Sequence, residues 1–203
     1  KVLGVNLLHE TNVDALLEHC NEIEDDRAIL RALHFFGETS RVEDAADAIH
    51  HNDYDKFLEL IDESGKSSWE LLQNITPAAA ITHQDMAVAL AVAEKALNGK
   101  GACRVHGGGF AGTIQAFVPV EDVCEFKKTM ETMLSEGCCH VLSIRPAGGL
   151  SELCIGERAD RAGRKSMGSK PDLGGYAGRF FLMGRVSKGK RSWSDRDTGH
   201  IDR

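Results

Sequence analysis

A glycine-rich loop between two apolar segments is the feature that most constrains the fold of this chain. It lies within RVHGGGFAGTIQAFVP, which runs from Arg104 to Pro119 and contains Gly107, Gly108, Gly109 and Gly112. Each glycine would cost about 0.5 to 1 kcal/mol relative to alanine inside a regular element, so these residues belong to a connection. Residues 113–118 are rich in β-branched and aromatic types with rough alternation, and residues 102–105 form a shorter apolar run. We therefore predict two short strands joined by the glycine loop.

Several functions are compatible with such a loop, and the simplest is a flexible hairpin turn. Residues 107–112 match the spacing G-x-G-x-x-G, but the dinucleotide fingerprint must open a helix, and a strand follows here. A P-loop needs a lysine before the final threonine, and Thr113 follows Gly112 instead. A protein kinase would also need His-Arg-Asp and Asp-Phe-Gly motifs, which the sequence lacks. The remaining functional interpretation is a loop of unhindered amides that cradles an anion or allows another backbone to approach closely.

Charge divides the 203 residues into two unequal parts. Residues 1–150 carry 12 Lys plus Arg against 24 Asp plus Glu, whereas residues 151–203 carry 12 against 7. The acidic part argues against a nucleic-acid footprint, and we predict that the basic, glycine-rich end is a solvated or disordered tail. No run of 18 apolar residues and no signal-peptide pattern is present, so we expect a cytoplasmic protein without membrane or nucleic-acid partners. The six cysteines show no Cys-x-x-Cys spacing, which favours reduced thiols over disulfides or zinc.

The periodicity of the remaining chain predicts helices on one face of a small antiparallel sheet. Gly37 is interpreted as a helix stop, residues 64–68 (SGKSS) as a loop, and residues 77–81 as another loop. After the two strands, a helix and a last strand follow. The predicted helices are 14–22, 26–36, 42–50, 54–62, 69–74, 84–97 and 121–136, and the last strand is 139–144. This order indicates an α+β fold.

Three segments together resemble the C-terminal half of a galactokinase, a member of the GHMP kinase family. They are RAILRALHFFGETSRVEDAADAI (27–49), ESGKSSWELLQN (63–74) and GACRVHGGGFAGTIQAFVP (101–119), and CCHVLSIRPAGG (138–149) is similar to the end of many bacterial members. The resemblance covers residues 1–149. It implies one ferredoxin-like α+β domain over these residues, with extra helices on the N-terminal side.

The same resemblance implies where the chemistry lies. The glycine loop is similar to the third motif of the family and would lie beside the phosphates of ATP, with Mg²⁺ as the accompanying cofactor. This makes Gly107, Gly108, Gly109, Gly112 and Thr113 the candidate cofactor-binding residues. No catalytic residue and no metal ligand is assigned in this chain, because the family's serine-rich ATP motif and its catalytic Asp and Arg belong to an N-terminal half that has no counterpart in this sequence.

The implied function is ATP-dependent phosphorylation of galactose, with this chain inactive on its own and the missing half as a partner. The alternative is a non-catalytic sugar-sensing or interaction module. Outside the loop glycines, we expect Phe110 to fill the core rather than to stack on adenine, and His106 to be an ordinary strand histidine. We expect Ser64, Ser67 and Ser68 to have turn and capping roles, although with Lys66 they lie in a stretch that could reach an anion.

Residues 150–203 match nothing in the family. We predict that this segment does not join the core of the 1–149 domain and contains at most one short strand or helix at 176–183, where the only continuous apolar run, YAGRFFLM, occurs.

Overall fold

The computed structural model describes residues 2–110, 112–142 and 180–183, the last of these as main chain only. Five α-helices and four strands are present in these residues. The helices are α1 (Val13–Glu18), α2 (Asp26–His50), α3 (Tyr54–Ser67), α4 (Asp85–Leu97) and α5 (Val123–Met133), and the strands are β1 (Ala102–Val105), β2 (Ile114–Phe117), β3 (Cys139–Leu142) and β4 (Phe180–Met183). Three short 3-10 helices (Leu8–Glu10, Cys20–Glu22, Val120–Asp122) and one π-helix (Ser68–Leu72) complete the regular structure of the described residues.

Helix α2 is one continuous helix of 25 residues, so the predicted stop at Gly37 is wrong. The helix begins where the Asp25 carboxylate accepts hydrogen bonds from the backbone N–H groups of Arg27 and Ala28. One interior glycine costs about 1 kcal/mol, which packing of the long helix against α3 outweighs. The prediction of a break failed because tertiary contacts override local propensity.

The predicted loop at residues 64–68 is helical, with α3 running through Ser67 and the π-helix following. Ser64, Ser67 and Ser68 are buried. Gly65 allows α3 to pass close to β1, because a Cβ on this residue would lie only 3.1 Å from the carbonyl oxygen of Cys103. The serines therefore belong to a tight contact between α3 and its neighbours, which sequence periodicity could not reveal.

The sheet is antiparallel, with strand order β1-β2-β4-β3. β1 and β2 pair through Ala102 with Phe117 and through Val105 with Ile114, and the glycine loop connects their ends. This confirms the prediction of two strands joined by that loop. Helices together with a small antiparallel sheet are compatible with the predicted α+β class; the finer ferredoxin-like assignment stays a prediction.

The main hydrophobic core lies between the sheet and the helices α4 and α5. Its fully buried members include Ala89, Val105, Ile114 and Met130. On the outer edge of the sheet, the Asp62 carboxylate of α3 accepts a hydrogen bond from the backbone N–H of Cys103, at 3.2 Å. Helix α3 thereby covers an edge strand that would otherwise present unpaired backbone groups. The sheet beside the glycine loop thus packs against α4 and α5 across the core and against α3 at its edge strand β1.

The short element predicted at 176–183 is strand β4, which lies between β2 and β3 in the sheet. The expectation that the segment 150–203 does not join the core of the 1–149 domain therefore fails for residues 180–183, whose backbone pairs with β2 and β3 within the sheet. The rest of that segment, including its predicted disorder, lies outside the described residues.

Among the helices that the structure does describe, none combines the length and the apolar character needed to cross a bilayer.

Candidate functional site

The glycine loop rests on a segment of irregular backbone that follows α3. The π-helix Ser68–Leu72 leads into Gln73, whose φ of 56° is in the left-handed region, and then into buried Asn74. A π-helical turn is rare and occurs often at functional sites. A non-glycine residue at positive φ stores of order 1 kcal/mol of strain. The chain thus reaches Asn74 through two uncommon conformations in succession.

Asn74 is in direct contact with the glycine loop. Its backbone carbonyl oxygen accepts a hydrogen bond from the backbone N–H of Phe110 at 3.0 Å. Gly109 lies so close that a Cβ on it would be 2.2 Å from the same oxygen and 2.6 Å from the side-chain nitrogen of Asn74. Because real Cβ atoms do not approach this closely, and because φ of Gly109 is 76°, only glycine fits this position without displacing its neighbours.

The predicted cofactor-binding glycines lie together in this loop. Gly107, Gly109 and Gly112 adopt positive φ, while Cβ positions at Gly107 and Gly108 would meet open space. The backbone N–H groups of Gly107, Gly108 and Gly109 donate to no acceptor among the described residues. Successive unpaired amides are the arrangement by which loops bind anions. The geometry therefore offers donors for an acceptor-rich ligand, and ligand binding itself stays a prediction.

Thr113, the fifth predicted residue, closes the hairpin at the base of the loop. Its carbonyl oxygen accepts from the backbone N–H of His106 at 3.0 Å. Its hydroxyl is directed at the carbonyl oxygen of His106, at the long distance of 3.5 Å. The structure thus gives Thr113 a role in joining the strands, and its proposed contact with a phosphate oxygen stays a prediction.

Phe110 does not fill the core, contrary to the sequence-based expectation. Its side chain is 48% exposed and its φ is 52°. Sequence reasoning failed here because an aromatic residue between glycines resembles a core residue, whereas the left-handed backbone turns this one outward. Backbone strain of this kind clusters at functional sites, which agrees with a binding role for the loop.

A partly buried polar network anchors the strand that leads into the loop. Ser64 Oγ donates to Glu38 Oε2 at 2.6 Å, and the guanidinium of Arg104 in β1 lies 3.7 Å from the same oxygen. Arg41 pairs with Glu38 and also with Glu63, the latter at 3.5 Å. Through Glu38, the network ties Arg104, two residues before His106, to helix α2. Sequence analysis missed it because its members come from three separate elements.

Burial controls the ionisation of groups around this network. The pKa of Arg104 is lowered by burial, against the opposing effect of Glu38. Burial also lowers the pKa of His34, whose Nδ1 is 2.9 Å from Ser67 Oγ. Asp62, which binds the Cys103 N–H, has its pKa raised by burial. Ser64 and Ser67 contact Glu38 and His34 of helix α2. The structure therefore does not bring these serines to the glycine loop as anion contacts.

Asn74 is the site residue that sequence reasoning did not single out. It is 2% exposed, and neither its side-chain nitrogen nor its side-chain oxygen has a hydrogen-bond partner in the described residues. Buried carboxamides are rarely left unpaired. A single asparagine after a predicted short helix carries no signal of such burial, so only the three-dimensional contact with Gly109 identifies it.

Comparison with known proteins gives a consistent set of relatives. No family model matches the chain. The chain is 32% identical over 130 residues to a galactokinase from Mannheimia succiniciproducens, which is 63% of this chain and 32% of that protein. It is 30% identical over 127 residues to a galactokinase from Glaesserella parasuis and 31% identical over 135 residues to one from Limosilactobacillus reuteri, in each case 31% of the relative and 62% or 64% of this chain.

The chain therefore spans about a third of the length of the curated relatives that it matches. Several independent relatives carry the same name, and the matched share is consistent with a fragment that corresponds to the C-terminal half of such a protein. The chain is thus similar to galactokinases over roughly 60% of its own length.

Proposed function

We propose that this chain is the C-terminal part of a galactokinase, an enzyme that transfers the γ-phosphoryl group of ATP to the anomeric hydroxyl of galactose. The observation that carries the proposal is the similarity to galactokinases from several bacteria. The loop geometry supports it, because three successive glycine amides that have no acceptor among the described residues suit an anionic phosphate chain. We further propose a cytoplasmic location, without nucleic-acid or membrane partners.

The residues of this chain serve to bind and orient the nucleotide. Phosphoryl transfer depends mainly on positioning and on stabilising the charge of the moving group. The amides of Gly107, Gly108 and Gly109 would hold phosphate oxygens, and Phe110 would border the nucleotide. When bound, Mg²⁺ would neutralise phosphate charge, and no residue of this chain is assigned to hold it. Catalytic groups and sugar contacts are assigned to the N-terminal half, as the family resemblance implies.

The proposal is tested on the product of the longest reading frame that contains this sequence. We expect it to release ADP from ATP only when galactose is present, while the purified 203-residue chain releases none above background. A complete protein that binds galactose but does not consume ATP would instead support a sugar-sensing module. ATP turnover by the 203-residue chain with galactose would contradict the assignment of catalysis to the other half.

The sugar is tested with a panel of hexoses on the same complete protein. We expect galactose to give the largest kcat/KM, with glucose and N-acetylgalactosamine well below it. Equal rates on several hexoses would remove galactose as the specific substrate while leaving sugar phosphorylation intact.

A further inference from the structure

The side chain of Asn74 is the most unusual polar group in the described part of the chain. It is buried, and both ends of its carboxamide lack hydrogen-bond partners there. A buried polar group left unpaired is destabilising, so each instance in a native protein calls for an explanation. No hydrogen bond of the described residues uses the Asn74 side chain, so its carboxamide holds neither a helix nor the sheet through such a bond. The explanation has to come from the group that the amide faces.

That group is the glycine loop. The main chain of Gly109 lies against the carboxamide, and the backbone carbonyl of the same Asn74 already holds the Phe110 N–H. The three amides of Gly107, Gly108 and Gly109 are themselves without acceptors in the described residues. In the described residues, three successive loop amides and the Asn74 NH₂ group thus lack acceptors, and Gly109 brings the loop into contact with that NH₂ group. A ligand that completes this arrangement must be rich in acceptor oxygens, as a phosphoryl group is.

We propose that Asn74 is a phosphoryl-binding residue of the glycine loop, and that its side-chain NH₂ group donates to the same anion as the loop amides. Glycine backbone changes φ and ψ at little cost, so binding shifts Gly109 enough to bring the anion against the carboxamide. The NH₂ end of the carboxamide, which has no acceptor in the described residues of the free protein, then gains one when the ligand binds. This inference rests on the proposed function for the source of the phosphoryl group, which is ATP.

The first test is spectroscopic and needs no variant. In ¹H–¹⁵N spectra of the 203-residue chain, the two side-chain NH₂ signals of Asn74 are followed during titration with inorganic phosphate, with ATP and with adenosine. We expect saturable shifts of these signals, and of the Gly107 to Gly109 amide signals, with phosphate or ATP but not with adenosine. Shifts with adenosine alone, or none with any probe, would overturn the inference.

The second test separates ligand binding from structural support. Leucine matches the branched shape of asparagine without its polar atoms, so Asn74→Leu removes the unpaired amide. We expect the unliganded variant to melt roughly 3 to 8 °C higher than the parent chain and to bind phosphate or ATP at least about tenfold more weakly. The matched control is Asn21→Leu at an exposed position, which should leave phosphate affinity unchanged.

A lower melting temperature in Asn74→Leu would show that the amide has stabilising partners in the free protein, such as a buried water, and would overturn the inference. Unchanged phosphate affinity in that variant would overturn it as well. Both measurements are made on the chain alone and do not involve sugar phosphorylation. A complete protein that fails to phosphorylate galactose would therefore refute the proposed function without affecting this result.

Discussion

At the scale of single residues, Gly109 is the position where the loop and its support touch. The chain offers a matched comparison, because Gly99 has the same φ of 76° but open space around it. Alanine at either site has to adopt a left-handed backbone, at about 1 to 2 kcal/mol. Only Gly109→Ala also places a Cβ at 2.2 Å from the Asn74 carbonyl oxygen.

We expect Gly109→Ala to lower the free energy of unfolding by about 1 to 3 kcal/mol more than Gly99→Ala does. Urea unfolding of the two variants measures this difference. Equal losses would show that the loop moves freely away from Asn74, contrary to the contact described above.

His34 gives a prediction about pH. Its pKa is lowered mainly by burial, with Arg41 and Arg104 acting in the same direction and Glu38 opposing them. Because the folded protein disfavours the imidazolium, stability falls as the pH drops from about 6.5, the unfolded value, through the lowered folded pKa. His34→Gln can still hydrogen-bond Ser67 but does not titrate. The variant should therefore gain stability relative to the parent chain as the pH falls through this window.

His19 provides a control of opposite sign. Its hydrogen bond with Glu22 raises the pKa of the imidazole, so protonation stabilises the folded form, and that stabilisation is lost as the pH rises through the raised pKa. His19→Gln should accordingly lose stability relative to the parent chain as the pH falls below its raised folded pKa. Parallel pH profiles for the two variants would show that burial of His34 does not control its ionisation.

At the scale of elements, the network around Glu38 joins α2, α3 and β1. Glu38 accepts from Ser64 and lies beside the guanidinium groups of Arg41 and Arg104. Removing one member of a partly buried network leaves the other charges poorly compensated, and here two cations would face each other. We expect Glu38→Ala to lower the free energy of unfolding by about 2 to 3 kcal/mol, somewhat less than for a fully buried pair.

The exposed pair of Lys56 and Glu59 is the matched control. Its removal by Glu59→Ala should leave the free energy of unfolding close to that of the parent chain, because solvent screens an exposed pair. Thermal or urea unfolding compares the two variants directly. If Glu38→Ala is as mild as Glu59→Ala, the network is not what positions β1 beside the glycine loop.

The predicted and observed elements agree where local sequence determines the structure and differ where distant partners do. The strands on either side of the loop were predictable, because alternation and glycine clustering are local signals. The continuity of α2 through Gly37, and the helical course of residues 64–67, were not, because both depend on partners distant in sequence, such as Glu38 for Ser64. The loop at Gly107 to Gly112 was predictable from the clustering of its glycines, and its role in binding stays a prediction. Asn74 and the outward orientation of Phe110 were not, because burial and backbone handedness are set by the assembled fold.

At the scale of the whole molecule, strand β4 decides how the sheet is completed. β3 pairs only with β4 among the described strands, and β4 in turn pairs with β2. A chain ending after residue 179 would thus leave β3 without its strand partner, whereas a chain ending after residue 183 would keep it. We expect the shorter chain to melt at least about 10 °C lower than the longer one.

Limited proteolysis provides an independent readout of the same feature. In the chain ending after residue 183, residues 180–183 should be protected together with the domain. Equal melting temperatures and a protease-resistant core that ends near residue 149 would show that the sheet does not need β4.

At the same scale, we propose that this chain is part of a sugar kinase whose glycine loop serves ATP-dependent phosphorylation of galactose. The most direct measurement is ³¹P NMR of the complete reading-frame product mixed with ATP, Mg²⁺ and galactose labelled with ¹³C at the anomeric carbon. We expect a new phosphate ester coupled to that carbon. Gly109→Ala should form it at least about tenfold more slowly, because a misplacement of about 1 Å in the loop is enough for such a loss of rate. An unchanged ATP spectrum, or ATP hydrolysis to free phosphate that does not depend on galactose, would contradict it.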